Sequence, residues 1–555
     1  MAATIQHVVS ESLVRTEDVR AGERLRSVEA QEMASRQGNS SSHSMHNGRD
    51  VINEKLPAEV LLLIFRGMTP SQDDAMAPIR LTHVCRSWRI LIYQWPVFWL
   101  GILNPADKTS FTYNPRRFPF VLIAFEKSQP VADLAVSLHG AFLSTLCTIP
   151  DHASRISTLW LDCSHDVGNG MDSLFDLHLP RLERLSLWFY CERGLYNSLA
   201  YTPPVVHFPR LSYLRTNCMQ LALKWMAMNP GIRSLVCGGR YSDSYSKNRN
   251  IPLRCCRFNT LSIMFKALER CSNLEELEVK HCFPTAGAPF DRLDADVHIH
   301  LQKLKFLRLC GDPKSVRDTL ERLTFPDTAR IALRAVYAHR SPSDLLPRRH
   351  VLPVIPQIRS LVISVSQARL PFRRTSILGE VEPGDKRLSL LAEEVASEDC
   401  AAYFFDLFAL FRGLTACYSP MNITRIRVEC YWHLDGDGGG YSWLYSHHPR
   451  VIELVLDVFS PGDALSSLGA GNILEHLEHL TVVIYVHETS DKEYRTMMRA
   501  LEVRAACSLR LRSLSFTQEV DREVVEYGYP SLTVKQIARL NEIVEKVSIK
   551  TVITD

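Results

Sequence analysis

One pattern constrains this chain more than any other. An apolar hexad of the form Leu-x-x-Leu-x-Leu, with other aliphatic residues standing in for Leu, keeps returning downstream of Phe118. Its twelve best copies begin at Ile156, Leu182, Leu211, Ile232, Leu274, Leu304, Thr328, Ile358, Ile423, Val451, Leu477 and Leu511. Successive starts lie 26, 29, 21, 42, 30, 24, 30, 65, 28, 26 and 34 residues apart, and eight of these eleven spacings fall between 21 and 30. Apolar residues at alternate positions predict a strand with one buried face. The remaining residues of each period suffice for a single return segment, and such a unit is too small to bury its own apolar face. It is stable only when stacked on its neighbours, so the pattern demands adjacent strands over one continuous core. A length of 555 residues, beyond the usual size of one globular core, agrees with a long array or several units.

Between the copies, Leu261, Met264, Leu268 and Cys271 predict a helix that leads into the strand at Leu274. The 42- and 65-residue gaps must hold insertions. The longer gap contains the polar, Pro/Gly-containing stretch Arg369 to Ser397, then an aromatic helix with Phe404, Leu407, Phe408 and Phe411 that reads as core packing. Ile537, Leu540, Val544 and Val547 share one face of a predicted helix over 534–547 that would cap the array. The resulting organisation is a disordered tail over 1–50, a helical module over 51–103 and a connecting or cap segment over 104–150. The repeat region covers 151–530 with an insertion near 365–420, and a capping helix and tail occupy 531–555.

The repeat resembles the leucine-rich repeat, although few copies continue to the expected Asn or Cys; Asn217 and Cys310 are the better cases. The resemblance implies an α/β class fold, an irregular horseshoe-shaped solenoid with a parallel sheet on its concave face. Side chains alternate along a strand, so the third, fifth and seventh repeat positions leave the core. In the first copies these are Thr158, Trp160 and Asp162, then Arg184, Ser186 and Trp188, then Tyr213, Arg215 and Asn217. Trp, Tyr and Arg are the residue types enriched at binding hot spots. Further copies give Glu276 and Glu278, then Arg308, Arg330, Arg334, Arg425 and Arg427, a basic stripe suited to an acidic or phosphorylated segment. Trp160, Arg184, Trp188, Tyr213, Arg215, Arg308, Arg425 and Arg427 are therefore candidate substrate-binding residues. The competing readings are that a loop buries the two tryptophans and that the arginines form a solvated face.

The module over 51–103 is distinct in composition. Pro57 suits the first turn of a helix carrying Val60, Leu61, Leu63 and Ile64, which Gly67 and Pro70 end. A second helix is predicted from Leu81, Val84, Cys85, Trp88, Leu91 and Ile92, followed by the aromatic knot Trp95 to Trp99. About fifty residues with this much apolar surface are marginal alone, so some of it must be covered by the rest of the chain or by a partner.

The segment Ile52 to Ile102 resembles an F-box, through Leu56-Pro57-x-Glu59-Val60-x-x-x-Ile64, Val84-Cys85-Arg86-Ser87-Trp88-Arg89-x-Leu91 and Pro96-x-Phe98-Trp99. The stretch Thr69 to Pro78 departs from that family's usual turn. The layout, an F-box ahead of irregular leucine-rich repeats, is similar to F-box proteins of mushroom-forming fungi. The resemblance implies a non-catalytic, substrate-recognition subunit of an SCF-type cullin–RING ubiquitin ligase. Its partners would be the small adaptor, through it a cullin, and a protein substrate. Leu56, Pro57, Val60, Ile64, Val84, Trp88, Leu91 and Trp99 would be adaptor-interface or supporting residues, with Trp88 equally readable as core. A scaffold that uses the F-box without promoting ubiquitination is the alternative.

Composition and motifs narrow the chemistry. With 64 Lys+Arg against 61 Asp+Glu the formal charge is +3, which gives no electrostatic reason to expect nucleic-acid or anionic-membrane binding. No apolar run approaches membrane-spanning length and the first fifty residues lack a signal core, so a cytoplasmic or nuclear location is expected. The 15 scattered cysteines read as reduced thiols. No metal or cofactor is expected. There is no Cys-x-x-Cys pair, Cys255, Cys256, Cys271, His281 and Cys282 read as structural, and His298 and His300 with Asp294 and Asp296 read as a solvated strand face. The run Asp435 to Gly440 lacks the Gly-Lys-Ser/Thr of a P-loop and reads as a turn. No nucleophile elbow or recognisable Cys/His pair appears, so no catalytic site is expected.

Overall fold

The computed structural model describes residues 56–67, 80–104, 118–139, 150–163, 178–189, 208–217, 222, 225–226, 229–238, 261–280, 283, 298–336, 345–347, 351–369, 372–395, 422–430, 439–458, 461–470, 473–485, 490–521 and 532–554. The expected tail over 1–50, the aromatic helix around Phe404, the run 435–438 and the candidate ligands Asp294, Asp296, Cys255, Cys256, His281 and Cys282 lie outside these residues. The chain divides into two units, Met1–Val131 and Ala132–Asp555.

The first unit contains α1 (Ala58–Gly67), α2 (Arg86–Tyr93), α3 (Pro96–Leu103) and α4 (Phe118–Lys127), each packed on the next in sequence. In α1 the one-turn pair Leu61 and Phe65 points inward and is buried. The predicted second helix is split. Cys85 adopts an extended conformation and its Sγ accepts the Trp88 N–H at 3.4 Å, so it caps α2 rather than continuing a helix from Leu81. The expected aromatic knot is itself a helix, because Pro96 occupies its first turn, where a missing N–H is tolerated.

The second unit is mixed α/β. Its first strands are β1 (Leu134–His139), β2 (Ile156–Cys163), β3 (Arg184–Phe189), β4 (Tyr213–Thr216), β5 (Ser234–Cys237), β6 (Glu276–Lys280), β7 (Ile299–His300), β8 (Phe306–Gly311) and β9 (Leu323–Thr324). There follow β10 (Arg330–Val336), β11 (Ser360–Arg369), β12 (Phe372–Glu380), β13 (Lys386–Val395), β14 (Arg425–Cys430), β15 (Glu453–Val458), β16 (His479–Tyr485), β17 (Ser513–Asp521) and β18 (Lys546–Thr554). Apart from the small β7–β9 pair, these form one open 16-stranded sheet with β1 and β18 at its edges. The helices are α5 (Pro150–Ala153), α6 (Leu261–Glu269), α7 (Pro313–Leu320), α8 (Gly439–His447), α9 (Gly462–Leu468), α10 (Ser490–Ala506) and α11 (Val534–Ile543).

Each of the twelve hexads forms a strand of this sheet, and successive copies pair in parallel except those of β10 and β11, which β13 and β12 separate. The first hexad position is buried in every copy except Thr328, where the adjacent Ala329 takes the place in the core. β14 shows the logic: Ile426, Val428 and Cys430 are buried, while Arg425, Arg427 and Glu429 are half-exposed. A parallel sheet covered on both faces has nearly continuous apolar strands. Alternation here therefore marks one packed face and one polar face.

Three elements differ from expectation. β1, in the connecting segment, carries its own copy of the pattern in Val131-x-x-Leu134-x-Val136. The polar stretch after Arg369 supplies strands β12 and β13, which join the sheet antiparallel between β10 and β11 rather than standing outside it. The last helix stops at Ile543, and Val547 lies in a parallel edge strand that begins at Lys546. Beyond Val544 the chain is rich in β-branched residues, which favour strand over helix once an edge is open for pairing.

Candidate functional site

In the first unit, α1 is apolar on the face opposite its core. Val60, Leu63 and Ile64 are 38%, 65% and 46% exposed, and Val84, before α2, is 58% exposed. Pro57 is also exposed and Leu56 half-buried. A short helix that is apolar all round has a second face still to be covered.

The other residues proposed for this surface divide. Trp99 is buried to 2% and its Nε1 donates to the Ile92 carbonyl at 2.9 Å, so it belongs to the core of the unit rather than to an accessible interface. It also stacks on Tyr93 with centroids 5.4 Å apart. Trp88 is half-buried edge-on against Phe65, centroids 4.8 Å apart, which ties α2 to α1. Leu91 is likewise half-buried. Leu63 is the residue that the family motif passes over; its signal was the apolar periodicity of α1 itself.

On the sheet, the register gathers the aromatic candidates. Trp160 pairs with Ser186 and Ser186 with Arg215, while Arg184 pairs with Tyr213. The Trp160 and Trp188 rings stack 6.0 Å apart at 24°. Arg215 lies over both, 5.6 Å from the Trp160 centroid and 5.0 Å from that of Trp188. Arg184 lies 4.3 Å over the Tyr213 ring. Such cation–π contacts are worth about 0.5–2 kcal/mol each and hold the guanidiniums in place. Trp188 is buried to 9% and Trp160 is half-buried, so the competing reading of concealed tryptophans describes the first and not the second. Trp188 Nε1 and Arg215 Nε are buried with no hydrogen-bond partner among the described residues, a state that costs roughly 1–3 kcal/mol for the neutral indole and more for the charged guanidinium.

Of the remaining arginines, Arg308, Arg425 and Arg427 are each compensated by a carboxylate. Arg308 lies 3.6 Å from Glu278, and Arg425 lies 2.9 Å from Glu453. Arg427 Nε is 2.7 Å from Glu429 without the alignment of a hydrogen bond, and its Nη2 is 3.5 Å from Asp457. Register causes this: parallel strands bring Arg425 opposite Glu453, and Arg427 within a diagonal step of Asp457. Beside this ladder, where the antiparallel strands enter, a hollow of about 430 Å³ is floored by Ser360, Ser364, Ser376 and Ser389. The Ser364 hydroxyl donates to Glu429 at 2.5 Å.

His298 and His300 flank buried Ile299 and are both exposed, with no cluster of three metal-ligating side chains among the described residues. Among those residues no helix is long and apolar enough to cross a membrane. No protein-family model and no curated protein matches the chain.

Proposed function

We propose that this chain is a substrate receptor of an SCF-type cullin–RING ubiquitin ligase, acting in the cytoplasm or nucleus. The observation that carries the reading is the apolar face of Pro57, Val60, Leu63, Ile64 and Val84, left in water on a small helical unit. It coincides with the F-box-like Leu56-Pro57 and Val84-Cys85 segments. In this reading the helical unit is the F-box that holds the adaptor. The sheet unit is a leucine-rich-repeat-like solenoid whose polar face holds the substrate. The gain is positional: both ends raise the effective concentration of a substrate lysine near activated ubiquitin, with no acid, base or nucleophile supplied by this chain.

Co-precipitation with the adaptor, comparing the wild type with the Leu56→Ala/Pro57→Ala double variant, tests the first half. Adaptor binding that survives the double change counts against the interface assignment. Ubiquitination of a captured partner that persists after deletion of residues 52–102 would refute the ligase role.

A further inference from the structure

We propose that the Trp160–Trp188–Arg215 cluster, with Arg184 and Tyr213, docks a short acidic peptide segment that carries a bulky apolar side chain. This names a substrate class for the receptor surface and rests on that reading. The charge pattern of the sheet carries it. Arg308, Arg425 and Arg427 leave the same face, and each has a carboxylate within ion-pair distance. Arg184 and Arg215 have aromatic rings instead, with no ion-pair partner among the described residues. Their positive charge is thus held rigidly and left available. Among the described residues the buried atoms Trp188 Nε1 and Arg215 Nε have no hydrogen-bond partner, while the Arg215 side chain as a whole is only half-buried, so its guanidinium is the group that an incoming carboxylate meets.

Spacing sets the length of the motif. Arg184 and Arg215 stand on adjacent strands, two residues out of step, which places their Cα atoms about 8 Å apart. Alternate carboxylates of an extended peptide are about 7 Å apart. Two such acids therefore meet two arginines. Trp160 stands level with Arg215 on the other side of β3, so the three side chains form a triangle about 8–10 Å on a side, and a peptide that bends after its acids brings its apolar side chain to half-buried Trp160. The cationic patch is only two residues wide. Exposed Glu276 follows two strands beyond β4, and it repels a longer polyanion such as a nucleic-acid strand.

The test uses the full-length protein and a fluorescein-labelled peptide containing Glu-Ala-Glu-Ala-Leu, read by anisotropy. Expected are binding that weakens as salt rises, and at least tenfold weaker binding when both Glu are Gln. The Arg184→Gln/Arg215→Gln variant should lose at least tenfold, with its melting profile checked. Arg215→Lys keeps the charge and retains most of the binding should the double variant fail to fold. Arg539→Gln, an ion-paired arginine on α11, should bind as wild type. Equal binding of the Gln peptide, equal loss in Arg539→Gln, binding only of a phosphorylated peptide, or stronger binding of an oligo-dT strand would each overturn the proposal. No peptide binding by a preparation that still holds the adaptor sinks this inference alone. Loss of adaptor binding with peptide binding intact sinks the ligase reading alone.

Discussion

Replacing Leu63 and Ile64 together by Asp separates a docking face from a core. At 65% and 46% exposure, with Val60 at 38% and Val84 at 58%, the four residues leave about two full side chains of apolar surface in water. Burying that surface against a partner is worth roughly 3–6 kcal/mol at about 1.5–3 kcal/mol per side chain. The two Asp residues also bring charges into the contact, so adaptor affinity should fall at least about 100-fold. Because both sites face solvent, each change should move the stability of the unit by about 0.5 kcal/mol, or about 1 kcal/mol for the pair. Trp99→Ala is the opposite case. It empties a site buried to 2% and strips a donor from the Ile92 carbonyl, costing about 3–5 kcal/mol. In a unit this small that is enough to unfold it. Calorimetric titration with the adaptor and circular-dichroism melts of both variants form the assay. Unchanged affinity in the folded Leu63→Asp/Ile64→Asp variant would refute the docking-face reasoning, as would its unfolding.

Three further outcomes follow from the sheet unit. Gly238 has φ +116° and an added Cβ would run into the Lys280 carbonyl, so Gly238→Ala should destabilise by at least about 2 kcal/mol in denaturant melts. Burial holds the His448 imidazole down to about 4 from 6.5, so the neutral form is native. As pH falls from about 6.5 to about 4 the unfolded chain takes up a proton that the native one refuses. Stability therefore drops by roughly 3 kcal/mol across that window and levels off below it. His448→Gln should remove this component when pH-dependent melts of the two proteins are subtracted. Arg427→Gln, half-exposed in its ion pairs, should cost only about 1 kcal/mol by urea titration, and a much larger loss would show the ladder to be a buried network.

The polar rows were legible one strand at a time, but their chemistry was not. Counting alternate positions finds Arg308, Arg425 and Arg427 on one face; it does not say that register sets Glu453 opposite Arg425 or Glu278 within reach of Arg308. The same count finds Trp160 and Arg215 some fifty residues apart, and only pairing through Ser186 brings them into contact. In the helical unit, periodicity shows α1 to be apolar all round, while packing alone chooses Leu61 and Phe65 for the inside and leaves Leu63 out.

Sequence by itself determined the repeat: each hexad needs a neighbour to bury its leucines, so twelve strands in one sheet follow from period and composition. Tertiary structure decided what local pattern leaves open. The polar stretch after Arg369, with only a short alternation at Ile377, Leu388, Leu390 and Ala392, became β12 and β13 by pairing with β11 on one side and β10 on the other. The segment after Val544 became an edge strand because β17 had a free ladder to pair with. Hydrogen-bond partners that are remote in the chain outweigh local propensity where that propensity is weak, and they also determine which charges meet.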